Sequence, residues 1–172
     1  EHYPESVVEI NIDNGTLYVH NDFGLGYDPD SGTHMLNMTS GQIDVGGNFD
    51  IGVTAGSYGS FQFDGGTVNV VGSLNIGSET EDYMDMTGDA TLVINGNATA
   101  SIQSLIDSGA LTAYGNEGSD YFIIDYNGST TTVTLEEPTQ AFAPNPTGNI
   151  IYVDYLNPLL TWDPVPSAAT HD

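Results

Sequence analysis

The chain carries no positive side-chain charge from Lys or Arg. Its 172 residues contain neither type, against 24 acidic residues, which gives a formal net charge of −24 at pH 7. Affinity for nucleic acids and attraction to anionic membranes depend largely on Lys and Arg, so the composition argues against both partners. Divalent cations are the small partners that such an acidic surface favours.

Cysteine and long apolar runs are also missing. Without Cys the chain can form neither a disulfide framework nor a thiolate site. No apolar run approaches the roughly 18 residues of a membrane-spanning helix, so we expect no membrane insertion. The chain begins at Glu1 without a signal-peptide pattern, and we expect either that a leader was removed or that the sequence is a fragment.

The sequence does contain an internal repeat. The copies align at successive offsets of 26, 25 and 24 residues, and each follows a short alternating segment. They are NGTLYVHNDFGLG (14–26), SGQIDVGGNFDIG (40–52), GGTVNVVGSLNIG (65–77) and DATLVINGNATAS (89–101). The apolar positions form six columns: Ile10, Leu36, Phe61 and Met84; Ile12, Met38, Phe63 and Met86; Leu17, Ile43, Val68 and Leu92; Val19, Val45, Val70 and Ile94; Phe23, Phe49, Leu74 and Ala98; Leu25, Ile51, Ile76 and Ala100.

Alternation with one apolar side is typical of β-strands. Three short strands per repeat, joined at glycine-rich corners, predict an all-β chain folded as a right-handed parallel β-helix of about four coils. Each inward residue would stack on its equivalent one coil away, at the ~4.8 Å strand spacing. A β-sandwich of hairpins also gives short strands, but it does not predict columns at a constant offset.

The repeats resemble those of a known class of proteins. MTSGQIDVGGNFDIG and DGGTVNVVGSLNIG are similar to the GGTVNVGGNLxIG repeats of large secreted bacterial proteins of the planctomycete type, and to autotransporter-passenger repeats. The resemblance covers residues 8–100 and extends to 100–137, which resembles the segment that closes such repeats. It implies an extracellular or cell-surface location more than a chemistry.

The two ends of the predicted stack differ. TASIQSLIDSG (99–109) predicts a short helix over about 101–108, with Ser101 or Thr99 as its N-cap, lying across the C-terminal end. Residues 120–136 predict a hairpin that turns at Asn127-Gly128 and completes a domain over residues 1–137. The N-terminal end has only SVVEI (6–10) as a partial coil, and an uncapped end invites pairing with another molecule.

Residues 138–172 form a proline-rich tail with two strand-like pieces, NIIYVDYL (149–156) and PLLTW (158–162). The tail resembles the first two strands of a fibronectin type III or immunoglobulin-like domain. Two such strands cannot bury themselves alone. The tail would fold back, belong to a longer domain, or insert into a neighbouring subunit through the assembly residues Ile150, Ile151, Val153, Tyr155, Leu159, Leu160 and Trp162.

No catalytic residues are predicted. The chain lacks the Arg or Lys of polysaccharide chemistry on β-helices, it has no G-x-S-x-G, and its four His residues are scattered. Acidic loops leave the third strand of the first and third coils, so calcium is the candidate cofactor. Its candidate ligands are Asp28, Asp30, Glu79, Glu81 and Asp82. The loops lie two coils apart, roughly 10 Å at the strand spacing, and a solvated acidic corner is the alternative.

Four sequons mark candidate glycosylation sites at Asn14, Asn37, Asn97 and Asn127. The leading hypothesis is a structural subunit of an extracellular filament or surface layer, a homopolymer assembled head to tail by stacking of β-helix ends or by tail insertion. The alternative is an adhesive or carbohydrate-binding module that binds glycans. A polysaccharide-active enzyme using Glu79, Glu81 or Asp82 is the third hypothesis, because a glycosidase needs only two carboxylates.

Overall fold

The computed structural model describes residues 7–27, 32–115 and 119–137. Twelve strands and one α-helix account for most of them. In chain order they are β1 (Val7–Val19), β2 (Phe23–Leu25), β3 (Thr33–Val45), β4 (Phe49–Ile51), β5 (Tyr58–Phe63), β6 (Thr67–Val70), β7 (Leu74–Ile76), β8 (Tyr83–Met86), β9 (Thr91–Asn95), α1 (Thr99–Asp107), β10 (Leu111–Ala113), β11 (Phe122–Tyr126) and β12 (Thr130–Leu135).

These strands stack as a β-solenoid of about four coils with three faces, as the repeat predicts. The long strands β1 and β3 each cover two faces: the first half of β3 pairs with β5 and its second half with β6, all in parallel. The first face continues through β8 and β10, and the second through β9. The third face consists of β2, β4 and β7.

The strand registers confirm all six predicted columns through the third coil. Leu17 faces Ile43, Ile43 faces Val68, and Val68 faces Leu92, and the first-face columns run unbroken in the same way. The inward residues of the inner coils form one continuous apolar core. In the repeat GGTVNVVGSLNIG, for example, Val68 and Val70 are buried while Asn75 is exposed.

The third face of the fourth coil is where the prediction was wrong. Ala98 and Ala100 do not continue the columns as a strand, because the chain enters α1 at Thr99. Alanine has the highest helix propensity, and a helix lets Ile102 and Ile106 meet the core four residues apart. The expected cap is also absent: Ala98 is the N-cap residue, and Asn97 Oδ1 accepts the Thr99 N–H at 3.2 Å instead.

The C-terminal end of the solenoid is covered by α1 and by the hairpin β11–β12, as predicted. On the second face, β12 pairs antiparallel with β9, so parallel stacking stops there. Strand β10 was not predicted: its Leu111 and Ala113 face Met84 and Met86 and so extend two columns into a fifth coil.

A column of glycines lets the coils approach at the corner between the first and second faces. Gly41 has φ +95°, and a Cβ placed there would lie 2.5 Å from the Gly15 carbonyl oxygen of the coil before. Gly66 repeats the arrangement, with 2.6 Å to the Gly41 carbonyl oxygen. A side chain at Gly41 or Gly66 would therefore press against the backbone of the coil before.

Gly41→Ala should destabilise the solenoid more than Gly15→Ala does. Gly15 also has positive φ (+116°), but a Cβ there meets nothing within 4 Å. Gly15→Ala is therefore the control that carries the backbone strain without the clash between coils. We expect Gly41→Ala to lower the free energy of unfolding by about 2 kcal/mol more than the control, from overpacking against backbone. Denaturant unfolding followed by circular dichroism measures both, and equal losses would contradict the clash.

Candidate functional site at the open edge of the first coil

The outer edge of β1 and β2 is the open end of the solenoid. Within the described parts of the chain, β1 pairs only with β3, and β2 only with β4. The backbone N–H and C=O groups on their outer side therefore face no strand of the described residues. Such an edge is a template for pairing with another chain.

The side chains at this edge have the pattern of an interior coil but are not covered as one. Ile10 is 37% exposed, whereas its column equivalents Leu36, Phe61 and Met84 are fully buried. Val7 and Val8 are also exposed, and Ile12, Leu17 and Phe23 are only partly buried against the core. Ile10 thus has the column position of a core residue, but no described residue covers its outer side.

Carboxylates on the outer faces point at amides and hydroxyls of the adjacent coil. Asn69 Nδ2 donates to Asp44 Oδ1 at 2.7 Å, and Asn75 Nδ2 donates to Asp50 Oδ1 at 2.7 Å. At the corner, Thr87 Oγ1 donates to Asp64 Oδ1 at 2.8 Å. In the registers of the described strands, no carboxylate faces another carboxylate.

The most buried of these carboxylates on a strand is Asp85 of β8. It accepts hydrogen bonds from Gln62 Nε2 at 3.0 Å on one side and from Thr112 Oγ1 at 2.6 Å on the other. The Gly115 N–H donates to it as well, at 2.9 Å. Amides and hydroxyls of the neighbouring coils thus hydrogen-bond these carboxylates, so no Lys or Arg is needed. Carboxylates stacked directly on one another would instead repel between coils.

At the open edge this polar column begins with Glu9 and Asn11. Asn37 Nδ2 donates to Glu9 Oε1 and to Asn11 Oδ1, at 2.9 Å each. Both side chains of β1 are therefore tied to the second coil. On their other side the column is open.

The acidic corner holds three of the five predicted calcium ligands. Glu79 and Glu81 are exposed, whereas Asp82 is buried, with its two oxygens accepting the Gly59 N–H at 3.0 Å and the Glu79 N–H at 3.3 Å. A Cβ at either Gly52 or Gly77 would collide with the Asp82 carboxyl group, so these glycines make its pocket.

Calcium binding stays a prediction. Asp28 and Asp30 lie outside the described residues. Among those that the structure describes, no three His, Cys, Asp or Glu side chains are placed to hold a metal ion.

Burial raises the pKa of the Asp82 carboxyl above the ordinary aspartate value. The backbone hydrogen bonds from Gly59 and Glu79 act in the opposite direction, and the charges of Glu79 and Glu81 add to the rise. A buried carboxylate that is satisfied by backbone N–H groups is a structural element of this corner. Sequence reasoning missed this role, because the room for Asp82 comes from glycines in other coils.

The other predicted sites lie apart from one another. Asn14 has positive φ (66°) in β1. Asn37 is half-buried on β3, where its side chain bonds to Glu9 and Asn11. Asn97 precedes α1 and Asn127 stands at the hairpin turn, where its Oδ1 accepts the Ser129 and Thr130 N–H groups. Glycosylation of these residues stays a prediction, and the assembly residues between Ile150 and Trp162 lie outside the described residues.

Comparisons with protein-family models, with curated proteins and with solved structures find no match to this chain. The β-solenoid fold is therefore established by the structure, while the resemblance to secreted bacterial repeats stays a prediction. In the described residues, no helix has the length and apolar character needed to cross a membrane.

Asn69→Asp tests the rule that carboxylates face amides. The new carboxylate would face Asp44 directly, and like charges opposite each other across strands destabilise a sheet. We expect the free energy of unfolding to fall by about 1 kcal/mol at pH 7 and low salt. The double variant Asp44→Asn/Asn69→Asp exchanges the two groups and should recover most of the loss. A double variant no more stable than the single one would contradict the rule.

Asp82→Asn tests how the buried carboxyl group affects the pH dependence of stability. Because its pKa is higher in the folded chain than in the unfolded chain, Asp82 stabilises the fold at acid pH, and this contribution is lost as pH rises through the raised pKa. Between about pH 4 and neutrality, wild-type stability should therefore fall more steeply than that of Asp82→Asn.

The matched control is Asp125→Asn, which removes one charge from an exposed position on β11. Denaturant midpoints across the pH range measure all three chains. Asp125→Asn should keep the wild-type slope, and an identical slope in all three would show that Asp82 does not set the pH dependence.

Proposed function

We propose that this chain is a structural subunit of an extracellular filament or surface layer, and that its function lies in strand contacts between subunits. The observation that carries the proposal is the open edge of β1 and β2. There, core-type residues such as Ile10 remain exposed and no described strand covers the backbone. The extracellular location is inferred from the resemblance of the repeats to secreted bacterial proteins.

The described surface offers little that favours catalysis over assembly. Carboxylates such as Asp44, Asp50, Asp64 and Asp85 accept hydrogen bonds from the neighbouring coil and so serve the stack. Asp82, one of the three acids considered for an enzyme, is buried and held by backbone N–H groups. These roles account for five carboxylates without a substrate, and only Glu79 and Glu81 of the three candidate acids remain exposed.

A polymer needs a second kind of contact besides the open edge. Direct parallel stacking of the C-terminal end onto the next subunit is disfavoured, because β12 closes the second face antiparallel and α1 replaces the strand of the third. We assign the second contact to the tail, residues 138–172. Its strand-forming pieces with Ile150, Val153 and Trp162 would add to a sheet of a neighbouring subunit.

Electron microscopy of the full chain, with and without calcium and across a pH series, tests this function. We expect fibres or sheets, favoured by lower pH or by calcium because both reduce repulsion between subunits of charge −24. A chain ending at Glu137 should lose the polymers and keep its β-type circular dichroism, since residues 1–136 form a compact unit.

Only discrete particles of the full chain under every condition would argue against a structural polymer. Polymers formed equally well by the chain that ends at Glu137 would show instead that the tail is not the second contact.

A further inference from the structure

We infer that two copies of this chain pair head to head through their open edges, with β1 antiparallel to β1 and a two-fold axis at Ile10. The inference deepens the proposed function, because it names the occupant of the open edge. The contact closes on itself, so it makes a dimer and leaves polymer growth to the tail.

The alternation of side chains along β1 supports this pairing. Val8, Ile10 and Ile12 are on the inward side of the first face, and Glu9 and Asn11 are on the outward side. A two-fold axis at Ile10 places Val8 opposite the second copy's Ile12 and Ile10 opposite the second copy's Ile10. Inward residues then meet inward residues, and the apolar core runs through the junction.

The charges along β1 select the register of the pairing. With the axis at Ile10, Glu9 faces the second copy's Asn11, which repeats the carboxylate-to-amide pairing found between the coils of one chain. Moving the axis to Glu9 places Glu9 opposite the second copy's Glu9. Moving it to Asn11 places Glu9 opposite the second copy's Asp13. All three registers keep the apolar sides together. Of these three, only the register with its axis at Ile10 places no carboxylate opposite another carboxylate.

A disulfide at the axis tests the pairing in the full chain. The protein has no Cys, so Ile10→Cys introduces a single thiol. Facing residues of an antiparallel pair have Cα atoms about 4.5–5.5 Å apart, within the range that a disulfide spans. Mild oxidation should convert Ile10→Cys to a covalent dimer on a non-reducing gel. Val71 is more exposed than Ile10 (58% against 37%) but lies two coils from the edge, so Val71→Cys should convert much less.

The register is tested by charge in the same Ile10→Cys chain. Adding Asn11→Asp puts a carboxylate opposite Glu9 of the second copy, and the rate of dimer formation should fall severalfold at neutral pH and low salt. Adding Glu9→Gln to that chain restores an amide opposite a carboxylate and should restore the rate. Both substitutions keep an oxygen for Asn37 Nδ2 to bond within the chain.

Three results would overturn the head-to-head pairing. These are equal cross-linking of Ile10→Cys and Val71→Cys, a rate indifferent to Asn11→Asp, or a rate that Glu9→Gln does not restore. A cross-link that appears only after deletion of residues 138–172 would assign the edge to the tail instead. Polymers that form without the cross-link would refute the dimer and leave the proposed function standing. A cross-linked dimer that never forms polymers would support the dimer and argue against the proposed function.

Discussion

Parallel stacking in register is the constraint on which the rest of this structure depends. Each coil places its residues directly over their equivalents, at the ~4.8 Å spacing of strands, so like tends to meet like. For Ile43 over Leu17 and under Val68 this is favourable, because a continuous apolar column forms. For charges and for tight corners it is unfavourable, so the sequence must vary there.

The variation explains how a chain of charge −24 without Lys or Arg can fold compactly. Where a carboxylate stands in one coil, an amide or hydroxyl stands in the next, as with Asp44 under Asn69 and Asp85 between Gln62 and Thr112. Hydrogen bonds to ionised acceptors are stronger than those between neutral groups, which suits acids stacked on amides. The repeat is thus strict in its apolar positions and alternating in its acidic ones.

The same reasoning separates what could be predicted from what could not. The columns and the hairpin were predictable, because a two-residue period at a 25-residue offset has few structural meanings. The start of α1 was predicted only to within two residues, because Ala98 and Ala100 fall at the column positions of a third-face strand although alanine favours a helix. Strand β10 is only three residues long, too short to show a period. The burial of Asp82 depends on space left by Gly52 and Gly77, which only the stacked coils reveal.

A solenoid, finally, cannot complete its own ends with its own repeat. At the C-terminal end the chain departs from the repeat, since α1 and an antiparallel hairpin cover the last coil. At the first coil it does not depart: Ile10, Ile12 and Leu17 keep the inward pattern as if another coil preceded them. The described residues thus break the pattern at one end and continue it, with an unpaired strand edge, at the other, and we propose that a strand from another subunit completes the first coil.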